Sequence, residues 1–130
     1  MQSTPHVTLV QQYLAACEAR RLEEAQAFLA PAAELSFPGG GYRSVEAMVA
    51  ASRGRYRWAK KIYAEWDVAG REDGTVVVVN TGTLYGENAH GVPFEGIRYI
   101  DRFVLKNGKI VSQQVWNDLD VSGVLARTPP

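Results

Sequence analysis

Apolar positions recur at helical spacing near the start of the chain, at Val7, Val10, Leu14 and Cys17, with Tyr13 beside the stripe. Ser3-Thr4-Pro5 precedes them as a helix-start signal, and the pattern predicts a first helix to about Arg20. A second stripe, Leu22, Ala25, Phe28 and Leu29, predicts a short helix over 22–29 before Pro31 interrupts it. Glu34 to Phe37 reads as a short strand closed by Pro38-Gly39-Gly40-Gly41, a stretch too flexible and too poor in donors to continue a sheet. Ser44 is the predicted N-cap of a third helix with Val45, Met48, Val49, Ser52 and Tyr56 on one face, ending near Trp58. The periodicity then changes to strands: 62–71, a turn at Glu72-Asp73-Gly74, and 75–85, whose four central valines call for burial on both faces. Gly86 to Gly96 reads as a long polar connection, of the kind that borders binding sites. Arg98 to Asp118 forms a hairpin, and Leu119 to Ala126 a short terminal helix or tail.

The hairpin turn sets the direction of its side chains. Asn107-Gly108 is a strong hairpin signal, because a two-residue type I′ loop needs positive φ at both central positions, and Lys106 and Lys109 then flank the turn. Counting outward pairs Leu105 with Ile110, Phe103 with Ser112, Asp101 with Gln114, and Tyr99 with Trp116. One face then carries Tyr99, Asp101, Phe103, Ser112, Gln114, Trp116 and Asp118, a carboxylate among aromatics. That combination belongs in a partly apolar pocket with a few convergent polar groups. The other face carries Ile100, Val104, Val111 and Val115 with Arg102 and Gln113 interleaved, an apolar patch that predicts a homodimer through the outer sheet face.

Helices first and long antiparallel strands afterwards make an α+β fold, three helices packed on one face of a curved, mostly antiparallel sheet with a cone-shaped cavity between the layers. At 130 residues the chain has room for one domain spanning 1–130 and a continuous core without disulfides. Its 14 basic and 14 acidic residues cancel, which removes a global electrostatic case for nucleic acid. Cys17, the single cysteine, reads as a small buried hydrophobe. Without a leader-like N-terminus or an apolar run of membrane-spanning length, the expected setting is cytoplasmic, away from the membrane. Arg53, Arg55, Arg57, Lys60 and Lys61 read as a solvated basic face at the end of the third helix. Trp58 and Trp66 read as core or interface residues.

LVQQYLAACEARRLEEAQAFLAPAAELSFPGG and YIDRFVLKNGKIVSQQVW resemble the opening helices and first strand, and the closing hairpin, of the NTF2-like superfamily of cone-shaped, cystatin-like α+β folds, which includes ketosteroid isomerases and SnoaL-like polyketide cyclases. The resemblance implies that Tyr13 stands at the tyrosine that donates to a developing enolate, and Asp101 at the protonated aspartic acid beside it, a carboxylic acid kept neutral by an apolar site. It also implies a pocket-mouth position for Trp116 and for Asp118 or Asp120. The chain departs from the isomerase pattern at Phe37, which precedes Pro38 where the isomerase has its proton-shuttling aspartate.

The chemistry so predicted is a donor pair, Tyr13 and Asp101, for the carbonyl or hydroxyl oxygen of a small hydrophobic molecule, walled by Phe37, Tyr99, Phe103, Gln114 and Trp116. It would serve an isomerase, cyclase or dehydratase working without a cofactor, or a non-catalytic binding protein or interaction module of the same fold. A base is still needed. Asp118 leads the candidates, with Asp120, Glu34, Glu87 and His90 behind it. His6, His90 and Cys17 are too scattered for a zinc site, so no metal is expected, and no phosphate-binding or nucleophile-elbow motif is present.

Overall fold

The computed structural model describes residues 4–130. Helix α1 (Thr4–Glu18) turns its Val10, Tyr13, Leu14 and Ala16 into the core; Ser3, the first residue of the expected start signal, lies outside the described residues. Helix α2 is shorter than its apolar stripe predicts, Leu22–Gln26, because Phe28 and Leu29 leave the helix to open strand β1 (Leu29–Phe37). Strand β1 pairs parallel with the later strand β6 (Lys109–Asn117), and Pro31 falls where their register slips between Leu29 and Glu34, a position that spares a ladder donor. The glycine stretch expected to end the sheet instead forms a short strand, β2 (Gly40–Tyr42), folded back on β1.

Helix α3 (Val45–Ser52) begins where predicted, with Ser44 Oγ accepting the Ala47 N–H at 3.1 Å. It stops a turn and a half earlier than expected. Tyr56 and Trp58 already belong to strand β3 (Tyr56–Gly70), so the basic residues from Arg57 to Lys61 lie on a strand and alternate between its faces. Strands β4 (Val76–Asn88) and β5 (Pro93–Lys106) likewise extend into the presumed long loop. The connection shrinks to four residues because the buried Asn88 organises it: its Oδ1 accepts the His90 and Val92 N–H groups, and its Nδ2 donates to the Val124 and Arg127 carbonyls. Helix α4 (Leu119–Ser122) and a 3₁₀ turn (Val124–Ala126) complete the tail.

The six strands form one open sheet in the order β2-β1-β6-β5-β4-β3, antiparallel except between β1 and β6. Its inner face meets the helices through Leu35, Val78, Phe103, Leu105 and Ile110. Among the described residues no helix is long and apolar enough to cross a membrane.

The hairpin register holds only as far as Leu105 opposite Ile110. Val111 is then skipped, and Val104 pairs with Ser112, Phe103 with Gln113, Arg102 with Gln114, Asp101 with Val115, and Ile100 with Trp116. One unpaired residue reverses every later side chain of β6 relative to the uniform alternation expected. Gln113, Val115 and Asn117 therefore share the inner face with Phe103, Asp101 and Tyr99, while Ser112, Gln114 and Trp116 share the outer face with Val104, Arg102 and Ile100.

Candidate functional site

A cavity of about 320 Å³ lies between the inner face of the sheet and helices α1, α3 and α4, at the small end of ordinary small-molecule sites. Leu14 and Cys17 line it from α1, Met48 and Val49 from α3, and Leu84, Tyr99 and Val115 from the sheet. Asp101 and Lys61 face each other across its wall, with Oδ2 of the carboxyl 3.6 Å from the ammonium Nζ. Their meeting follows from strand parity. Lys61 sits opposite Leu84, Asp101 opposite Asn80, and Gly82 and Tyr99 fill the intervening row.

Asp101 is fully buried, and neither carboxyl oxygen has a hydrogen-bond partner among the described residues. Burial raises its pKa above the ordinary carboxylate range, and the Lys61 ammonium only partly opposes that rise. Burial also works against the charge on Lys61, but Asp101, with smaller contributions from Tyr56, Glu18 and Tyr63, outweighs it and holds the lysine pKa above its usual value. Lys61 Nζ also stands 5.2 Å from the Tyr99 ring centroid, within cation–π range. Its backbone N–H donates to Glu18 Oε2 at 3.2 Å, tying this part of β3 to α1.

The two tyrosines beside Asp101 have committed hydroxyl protons. Tyr13 is fully buried, packs edge-on against Phe28 and Phe103, and donates to Gln113 Oε1 at 2.8 Å. Gln113 can meet it only because of the bulge at Val111. Tyr99 donates to Asn80 Oδ1 at 2.6 Å, and Asn80 Nδ2 donates in turn to the Glu65 and Thr81 carbonyls. Burial first, and neighbouring acidic groups second, raise the pKa of both phenols; burial pushes the Cys17 thiol up to about 11.

The predicted site residues divide between the two faces of the sheet. Phe37 and Tyr99 line the inner cavity with Asp101, whereas Tyr13 and Phe103 lie behind its wall in the core. Gln114 and Trp116 are displaced to an open groove on the outer face; Gln114 accepts from Arg102 at 2.9 Å and Trp116 is half-exposed. Asp118 borders that outer groove and is held by Arg98 at 2.7 Å. Glu34 is exposed beside Arg43, Glu87 is paired with Arg57, and His90 is exposed on the turn after β4. Asp120 stands at the cavity rim in an ion pair with Arg55 at 2.6 Å. Lys61 is the residue that sequence reasoning missed. The parity of Ala59, Lys61 and Tyr63 on a strand would have found it, but a helical reading of this stretch concealed that signal. No group of three or more potential metal ligands occurs among the described residues.

A family model for the SnoaL-like domain matches residues 10–113. No curated protein matches the chain. Among solved structures, TerC co-crystallised with polyporic acid is 15% identical over 95% of this chain and 99% of its own, with a TM-score of 0.79. An NTF2-like protein of unknown function from Burkholderia pseudomallei is 16% identical over 93% of this chain and 97% of its own, also at 0.79. ActVI-ORFA from Streptomyces coelicolor is 13% identical over 90% and 97%, at 0.69. At these identities the likeness is one of fold.

Proposed function

We propose, from the premise that this chain belongs to the SnoaL-like domain family, that residues 1–130 form one domain that binds a small hydrophobic, oxygen-bearing molecule and moves a proton on it. Asp101 is the acid–base group. The observation that carries this reading is a buried carboxyl on the cavity wall with neither oxygen hydrogen-bonded. A proton acceptor with a raised pKa in an apolar cleft is suited to taking a proton from carbon beside a carbonyl and returning it elsewhere. Enolisation of this kind begins an isomerisation, a ring closure or a dehydration, and none of these needs a cofactor. With Asp101 as the base, the Phe37 position need not supply one, and Phe37 becomes part of the apolar wall.

A second reading keeps the ligand and drops the turnover. It is favoured by the same Phe37, a side chain that cannot carry a proton. 2-Tetralone, a small enolisable ketone, separates the two. In D₂O the wild-type chain is expected to accelerate deuterium exchange beside the carbonyl, and Asp101→Asn to lower that rate by roughly 100-fold or more. If the ketone binds but exchanges no faster with wild type than with Asp101→Asn, the proton-transfer reading fails and the binding reading stands. The same proposal pairs two copies through the outer sheet face, where Trp116 and Ile100 are cross-strand neighbours, 52% and 45% exposed, and Ile62 is 59% exposed.

A further inference from the structure

Asp101 and Lys61 do not complete each other. A buried carboxylate ordinarily gathers several donors, since each oxygen without one has lost its water for nothing. Here the ammonium stands 3.6 Å from one oxygen, beyond the roughly 2.7–3.2 Å of an N–H···O bond. Nζ makes no other hydrogen bond or ion pair among the described residues, and the lysine side chain keeps 20% of its surface exposed. The pair thus has an unspent donor on one side and unspent acceptors on the other, with both groups on the cavity wall.

One oxygen atom can satisfy both groups only if it carries a proton. A carbonyl oxygen can accept from Lys61 but leaves Asp101 without a donor; a hydroxyl donates to Asp101 and accepts from Lys61 together. We infer that the cavity takes ligands with an acidic hydroxyl, an enol or a phenol, whose O–H points at Asp101 and whose oxygen rests on Lys61. This rests on the proposed function, which puts the ligand against Asp101, and adds the class of group received there. Proton transfer then balances within the site. The ligand O–H bond breaks, an O–H bond forms on the Asp101 carboxyl, and the electron pair stays on the ligand oxygen. Lys61 exchanges a carboxylate partner for an oxyanion, and net charge is unchanged.

The surroundings favour that exchange. Tyr13, Cys17 and Glu18 of α1, Tyr56 and Tyr63 of β3, and Tyr99 of β5 are the titratable groups around the pair; Arg20, Arg55 and Asp120 stand at the rim. Lys61 is the cation of the pair, while the Tyr13 and Tyr99 protons are spent on Gln113 and Asn80. Desolvation favours a protonated Asp101, and an ordinary alcohol is too weak an acid to supply the proton. Lys61 is therefore the oxyanion holder for the acidic hydroxyl.

4-Nitrophenol tests this, because its neutral and anionic forms absorb at different wavelengths. In buffer on the acid side of the free phenol's pKa, binding to the wild-type chain is expected to produce the nitrophenolate band. In the saturated complex the carboxyl ¹³C resonance of Asp101 is expected to be that of the acid. Lys61→Met is expected to lose the band and roughly tenfold or more in affinity, Lys61→Arg to keep the band, and both to bind tetralin, which has no oxygen, as wild type does. A bound probe that keeps its neutral band, an Asp101 resonance that stays that of a carboxylate, or a Lys61→Met variant with unchanged band and affinity overturns the inference. Binding of 2-tetralone without 4-nitrophenol overturns it and leaves the proposed function standing; failure of all three probes overturns both. The band and the carboxyl resonance are read on the wild-type chain, so the test survives a variant that does not fold.

Discussion

The Tyr13 hydroxyl donates to the buried Gln113 side chain, so Tyr13→Phe leaves an amide oxygen without its donor in the core. The expected cost is about 1–2 kcal/mol in chemical denaturation, with 2-tetralone affinity unchanged within about twofold because the tyrosine lies behind the cavity wall. Asp101 carries the opposite expectation. Its pKa is raised by folding, so its contribution to stability is fully present below the ordinary aspartate pKa and is lost as pH rises through the raised value. Lys61, also raised, loses its contribution only in strong alkali, outside that window. Thermal melts of wild type are therefore expected to fall across the Asp101 titration, a step that Asp101→Asn, with no carboxyl to ionise, lacks. The step is about 1.4 kcal/mol for every tenfold by which folding tightens the carboxyl's hold on its proton, and each kcal/mol is worth about 3–6 °C in a domain this size. A wild-type profile that lacks the step, as that of Asp101→Asn does, would remove the basis for treating this carboxyl as strained by burial. At this scale Asp101 was legible from the chain alone, through its place among aromatics in a hairpin. Its charged neighbour was not, because Lys61 is far away in sequence and its stretch reads equally well as the basic end of a helix.

Strands β3 to β6 owe their curvature and their register to positions where the ladder slips. Val111 decides which β6 side chains enter the cavity, and slips at Tyr56/Trp58 and Tyr63/Glu65 bend β3 along β4. Gly82 marks the closest approach: a Cβ there would stand 2.0 Å from the Ile62 carbonyl oxygen and 2.9 Å from the Tyr99 hydroxyl. Since a backbone oxygen cannot step aside, Gly82→Ala is expected to destabilise by roughly 3 kcal/mol or more and to disturb the Tyr99–Asn80 hydrogen bond. Gly70→Ala, at the open end of β3 with nothing within 4 Å, is expected to change stability by less than about 0.5 kcal/mol. Urea denaturation of the two variants reads the contrast, and equal losses would contradict it. The type I′ turn, the Ser44 cap and the valine-rich strand could be read from local chemistry. The bulge could not, because Lys109-Ile-Val-Ser-Gln alternates as well with a skipped residue as without one, and contacts such as that of Gln113 with Tyr13, far away in sequence, exist only in the skipped register.

At the level of the whole molecule, the α+β arrangement separates an inner face that holds the cavity from an outer face that shows Trp116, Ile100 and Ile62 to solvent. Arg98 and Arg102 on that outer face are already engaged by Asp118 and Gln114, which lowers the cost of covering them. Light scattering after size exclusion is expected to give twice the chain mass at micromolar concentration, and Trp116→Arg with Ile100→Glu to give a monomer that still binds 2-tetralone. A wild-type monomer would count against the pairing. Periodicity, turn chemistry and composition by themselves determined that helices come first, that long antiparallel strands follow, and that Asp101 belongs to a hairpin in this fold; these are properties of neighbouring residues. The tertiary structure alone decided that β1 lies parallel to β6, that Gln114 and Trp116 face outward, and that Lys61 meets Asp101. Those facts depend on register and on contacts between residues far apart in the chain, where a one-residue slip costs nothing locally yet turns a side chain from the solvent into the cavity.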